Sequence, residues 1–259
     1  MGYFVLDNKS SADFGVMVSG TGSWTTPSRT IETANIPGRM GALISYVGAW
    51  SNVTITYPAW IARGFDSKFD AFCSWWNAHT DNYYLLTDPY HPEYYRLARP
   101  VAAIDPKVGT LNRYGTFDLK FNCKPQKFYR DGLRPKKVTE NHQIILTNPT
   151  EYDAFPLIVA KIRSSVNSLL DITIDADIMA SMVFKYTSST YNYVGRDIEY
   201  DAETHEATCK FPLQTVSANN VVVEGLGSGV TGIMIPANGS AFFNSYAGDF
   251  DIYPRWYRI

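Results

Sequence analysis

The sequence predicts a mainly β protein with one short helix, divided into two domains. Three observations carry this expectation. Most segments alternate apolar and polar residues with a period of two, a single segment repeats at three and four residues, and a basic, turn-rich stretch interrupts the chain near its middle. With 45% hydrophobic and 19% charged residues, the 259-residue chain has the apolar content of a folded protein and enough length to bury a core in each part.

In chain order, the first clear strand is Asn52 to Tyr57, where Val53, Ile55 and Tyr57 share a face because successive strand side chains point to opposite sides. From Phe65 to His79 the period changes. Phe65, Phe69, Phe72, Cys73 and Trp76 recur at helical spacing, which predicts one amphipathic helix packed on a sheet, with Asp66 or Ser67 capping its start. The strongest strand is Thr116 to Cys123, in which Phe117, Leu119, Phe121 and Cys123 alternate with Thr116, Asp118, Lys120 and Asn122. The segment Lys124 to Lys137 follows, with Pro125, Asp131-Gly132 and Pro135, and places the domain boundary so that residues 1–134 and 135–259 form the two domains.

Charge differs across that boundary, with 14 basic and 11 acidic residues before it against 9 and 14 after it. In the second half, Leu157 to Ile162 and Val221 to Val223 are apolar runs suited to buried strands, and Leu170, Ile172 and Ile174 share a face within Leu170 to Ala176. Turns are expected at Pro37-Gly38, Asp88-Pro89, His91-Pro92 and Asn148-Pro149.

Composition also excludes function classes. A net charge of −2 argues against nucleic-acid binding, which draws on a basic surface. The start carries no secretory signal and no run is long enough to span a bilayer, so the expectation is a soluble protein, synthesised in a host cytoplasm, without membrane insertion. Cys73, Cys123 and Cys209 are far apart and odd in number, which fits buried free thiols.

Candidate chemistry is sparse. Gly227 to Gly232 matches GxGxxG, but it leads into Ile233-Met-Ile-Pro236, a strand signal, where a dinucleotide site needs a helix N-terminus. Asp171, Asp175 and Asp177 imitate a pair of glycosidase carboxylates, yet their alternation with apolar residues reads as the wet side of a strand. Glu203, His205 and Cys209 have metal-ligand character without a metal-binding spacing. No nucleophile elbow or P-loop is present, so no catalytic residue, cofactor or metal is expected.

A series of motifs in fixed order adds to this. Asp13 to Val16 precedes a corner at Ile36-Pro37-Gly38-Arg39-Met40-Gly41, where Pro37 presets φ and Gly38 can take a positive φ, the requirement of a type II turn. Next come Phe72 to Trp76, Leu86 to Pro89, the tyrosine-rich Tyr94 to Leu97, and Gly115 to Cys123 followed by Pro125. Asn148-Pro-Thr150, Ala154-Phe-Pro156 and Ile252 to Trp256 continue the series. In this order the chain resembles the siphophage distal tail proteins (Dit), and the match is weakest over Met179 to Thr208.

The resemblance implies an N-terminal tail-tube-like β-sandwich with an α-helix and a C-terminal β-sandwich like a galectin or carbohydrate module. Asn148 to Thr150 would be the linker to the second sandwich, Ala154 to Pro156 its first strand and Ile252 to Trp256 its last. It further implies a location at the virion tail tip and a homohexameric ring, with Ile36, Pro37, Gly38 and Arg39 as candidate ring-contact or turn residues. Implied partners are the major tail tube protein, a tail-tip or tail-associated lysin-like protein and the tape measure protein. A receptor-binding protein or a host glycan is a further implied partner, and a competing reading is a glycan-binding adhesin module that contacts the host cell surface. It rests on the 18 tyrosines, with Tyr186, Tyr191, Tyr193 and Tyr200 as candidate contacts because aromatic rings stack on sugars.

Overall fold

A computed structural model describes residues 2–20, 24–101, 103–161, 168–174, 178–186, 197–209, 221–224 and 233–259. Contacts divide the chain into Met1–Lys127 with Ile259, and Phe128–Arg258. The strongest strand runs on through Pro125 to Tyr129 instead of stopping at the turn-rich segment, so its last two residues belong to the second unit.

The first unit contains β1 (Val5–Leu6), β2 (Lys9–Ser10), β3 (Val16–Val18), β4 (Arg29–Asn35), β5 (Ala42–Trp50) and β6 (Val53–Ile61). After these come α1 (Phe65–Asn77), β7 (Tyr84–Thr87), β8 (Tyr94–Val101), β9 (Lys107–Val108) and β10 (Gly115–Tyr129). The main sheet has the order β2-β1-β7-β8-β10-β6-β3, with β9 added to β10. Its centre is the predicted alternation. β6 and β10 run antiparallel with Leu119 opposite Tyr57, Phe121 opposite Ile55 and Cys123 opposite Val53. All six are buried on one face, and Phe121 alone contributes roughly 1.5–3 kcal/mol relative to an exposed ring.

Helix α1 lies on that face. Phe65, Phe72, Trp75 and Trp76 are buried, with the Trp76 ring 4.9 Å from Phe121 and the Phe69 ring 5.3 Å from Phe117. Close approach depends on Gly115, where any Cβ would collide with the Phe65 ring. The cap differs from expectation. Asp66 and Ser67 lie within the first helical turn, and the N-cap is Gly64 at φ 68°, with no side-chain cap bond. A left-handed entry suits glycine, and Asp66 favours the positive end of the helix dipole instead.

The second unit holds β11 (Lys136–Val138), β12 (Gln143–Thr147), β13 (Leu157–Lys161), β14 (Ser168–Ile174), β15 (Ile178–Tyr186) and β16 (Asp197–Asp201). It continues with β17 (Glu206–Cys209), β18 (Val221–Glu224), β19 (Ser240–Ala247), β20 (Phe250–Tyr253) and β21 (Tyr257–Arg258). Two five-stranded sheets, β11-β20-β13-β16-β17 and β12-β19-β14-β15-β18, bury one core that includes Ile158, Tyr200, Phe243, Phe250 and Ile252. Every strand pair within them is antiparallel.

Several local expectations change here. The run Leu157 to Ile162 suits a buried strand, yet within β13 only Ile158 and Ala160 reach the core, because the strand alternates and its other face carries Leu157 and Val159 half-buried. Ile233 to Pro236 makes a single bridge, Ile235 to Ala154, in place of a strand. Ala154 to Pro156 is not the first strand of this unit, since β11 and β12 precede it.

Asn148 to Thr150 is no linker. Asn148 Nδ2 donates to the carbonyls of Tyr152 at 2.8 Å and Ile235 at 3.0 Å, and its Oδ1 accepts from Thr150 N and Oγ1. Both residues are 1% exposed, so the pair is a buried knot within the unit. Ile252 to Trp256 holds the end of β20 and the approach to the short β21.

Candidate functional site

The clearest surface feature is the hairpin of β4 and β5, in the first unit. These strands pair with each other, from Asn35 opposite Ala42 to Ile31 opposite Tyr46, and with no third strand among the described residues. Their connection is the predicted corner. The Arg39 N–H donates to the Ile36 carbonyl at 3.1 Å, and Gly38 sits at φ 83°, which is a type II turn with Pro37 leading. At the base, Ser51 N–H donates to the Ser28 carbonyl at 2.8 Å and the Arg29 guanidinium lies 4.5 Å over the Trp50 ring.

Every residue from 28 to 44 is exposed. Ile36, Pro37, Gly38 and Arg39 are therefore brought together at one solvated tip. Sequence reasoning missed the apolar residues beside them: Ile31 is 52% exposed, Leu43 44%, Ile44 64% and Met40 fully so. The signal was available as Ile31, Leu43 and Ile44 within a few residues of a Pro-Gly corner. A two-stranded hairpin in water is marginally stable by itself, and exposed strand edges with apolar side chains invite a partner.

In the same unit a polar group lies below the sheet surface. The Tyr57 hydroxyl donates to Asp88 Oδ2 at 2.6 Å, while Asp88 Oδ1 accepts from the backbone N–H groups of Tyr90 and His91 at 2.8 and 2.9 Å. This is the expected turn at Asp88-Pro89, closed by its own carboxylate. Burial, and then the Asp88 charge, push the Tyr57 phenol well above its ordinary pKa. Burial also pushes the Cys123 thiol up to about 12. Cys73 and Cys123 are both free, though Cys73 is only partly buried.

In the second unit the outer face of β13, β16 and β20 forms a groove of about 450 Å³ whose lining includes Lys137, Val159, Glu199, Asp251 and Tyr253. Tyr200, one of the tyrosines proposed for sugar contact, is not among its lining residues. Tyr200 points the other way: it is 1% exposed in the core, its hydroxyl 3.4 Å from His205 Nδ1, so a sugar cannot stack on it. The alternation of Ile198 and Tyr200 with Asp197, Glu199 and Asp201 carries that information in the sequence. Tyr186 ends β15, and Tyr191 and Tyr193 lie outside the described residues.

Asp171 is in β14, while Asp175, Asp177 and Gly227 to Gly232 lie outside the described residues. Glu203 and His205 are exposed in the turn before β17. Among the described residues no group of three His, Cys, Asp or Glu is placed to hold a metal ion, and no helix is long and apolar enough to cross a membrane.

No family model and no curated protein matches the sequence. A solved structure does. The crystal structure of the SPP1 Dit (gp 19.1) protein, described as a paradigm of the hub adsorption apparatus in Gram-positive infecting phages, superposes with a TM-score of 0.62 at 12% identity. The match covers 100% of both chains. The two chains share a fold, which in this protein is mostly β with one α-helix among its described residues.

Proposed function

We propose that this chain is a structural subunit of a bacteriophage tail tip, a distal tail protein that forms a hexameric ring between the tail tube and the tip or host-recognition apparatus. The observation that carries the reading is the likeness to SPP1 Dit over the full length of both chains. The exposed hairpin supports it. A head-to-tail ring needs each subunit to offer a surface that its neighbour covers, and the β4–β5 arm offers apolar side chains and strand edges together.

In this reading residues 1–134 form the tail-tube-like ring and residues 135–259 form an outward, galectin-like or carbohydrate-module-like sandwich. Ile36, Pro37, Gly38 and Arg39 lie at the ring contact. The tube protein docks one side, a tip or lysin-like protein docks the other, and the tape measure protein passes inside during assembly. The role is structural, not catalytic, and its place is the virion tail. Light scattering with negative-stain imaging tests it, and hexameric rings are the expected result. A monomer that also fails to bind tube and tip proteins would overturn it.

A second reading, a glycan-binding adhesin, is favoured by one observation, the groove on the second unit with Tyr253 among carboxylates able to accept sugar hydroxyls. A glycan screen that finds no binding at millimolar sugar removes it.

A further inference from the structure

Arg96, on β8, is 6% exposed, and neither Nη1 nor Nη2 of its guanidinium has a hydrogen-bond partner. Removing such a charge from water without pairing it is among the most unfavourable arrangements a fold can hold. Asp88, the carboxylate that lines the same cavity, does not supply the partner, since both Nη atoms are without one. Asp88 already accepts from the Tyr57 hydroxyl and from the Tyr90 and His91 amides, which uses three of its roughly four acceptor positions.

The cavity that Arg96 lines also meets Lys127 and Asp88, and its volume is about 10 Å³. Two cations against one carboxylate leave a local charge of about +1, on the ordinary protonation states of these groups. The volume admits about one water-sized particle. A phosphate or a whole carboxylate is too large for it.

We propose that this cavity is a binding site for a single halide-sized anion, held between the Arg96 guanidinium and the Lys127 ammonium. Such an ion supplies the missing acceptor and cancels the excess charge. Burial lowers the pKa of Arg96, and burial followed by the Arg96 charge lowers that of Lys127, so each cation feels an environment that an anion would relieve. The site is independent of the tail-tip reading.

The test uses the full-length protein, unfolded thermally in sodium bromide, chloride or gluconate at equal ionic strength, together with anomalous diffraction from crystals grown in bromide. At halide about tenfold above its dissociation constant, the midpoint should rise by about 3–6 °C over gluconate. That rise should vanish in Arg96→Gln and shrink in Lys127→Gln, with a bromide peak within hydrogen-bonding reach of the Arg96 Nη atoms. If Arg96→Gln fails to fold, the half-buried Lys127 variant and the wild-type anomalous map decide the matter. A midpoint indifferent to the anion, or a rise retained by the variants, overturns the proposal. A bromide peak without the shift means an adventitious ion only and also overturns it.

Discussion

Replacing Gly38 by valine isolates the contribution of one backbone angle. Gly38 sits at φ 83°, and a Cβ there would meet nothing within 4 Å, so the cost is conformational with no packing component. An L-residue held in the left-handed region costs about 1–2 kcal/mol, and more when β-branched. Among the described residues the hairpin it closes pairs only β4 with β5, and none of residues 28–44 contributes to either core. An arm so nearly balanced should lose about 5–30-fold in its paired population.

Amide hydrogen exchange reads this directly. In Gly38→Val the amides of the Ala34–Leu43 and Thr33–Ile44 register should lose protection, while the global unfolding midpoint stays within the small change typical of a surface substitution. Ring formation should weaken in parallel, since the tip that carries Ile36 and Arg39 loses its shape. Unchanged protection would show that the turn does not hold the register. A large fall in global stability would show that the hairpin is bound into the core, and either result refutes the reasoning.

Gly115→Ala should destabilise the first unit by about 1–3 kcal/mol in denaturant titration, because the new methyl enters the Phe65 ring and α1 must shift. Asn148→Ala should cost roughly 1–3 kcal/mol and act on the second unit, since it leaves the buried Thr150 amide without its acceptor, while the Tyr152 and Ile235 carbonyls keep the Thr150 hydroxyl and the Ala154 amide, an effect measurable by the order in which the units unfold. The Cys123 thiol, raised by burial to about 12, should resist alkylation in the native state, and peptide mapping should find it unmodified. Its sign in linkage follows. The folded thiol keeps its proton while the unfolded one loses it near 9, so stability should fall between about pH 9 and 12, by at most ~1.4 kcal/mol per pH unit, and Cys123→Ala should flatten that part of the curve.

What the sequence by itself determined is local. The alternation in Thr116 to Cys123 and Asn52 to Tyr57, the helical spacing from Phe65, and the Pro37-Gly38 corner all appear as read, because each is set by the geometry of a few consecutive residues. A period of two tells which residues share a face but not which strand lies beside them. The order β2-β1-β7-β8-β10-β6-β3, with β7 pairing β1 across most of the unit, depends on contacts between residues far apart in the chain.

The tertiary structure alone decided the rest. Tyr200 is a core residue and Tyr253 a groove residue although both are tyrosines on strands, since the face each occupies is set by what packs behind it. Asn148 looks like a turn residue and is one, but its burial arises from carbonyls as distant as Ile235. Ile44 has the chemistry of a core residue and Arg96 that of a surface one, and their exposures are reversed. Hydrophobicity states a preference for burial, whereas the choice of partner across the fold settles whether that preference is met.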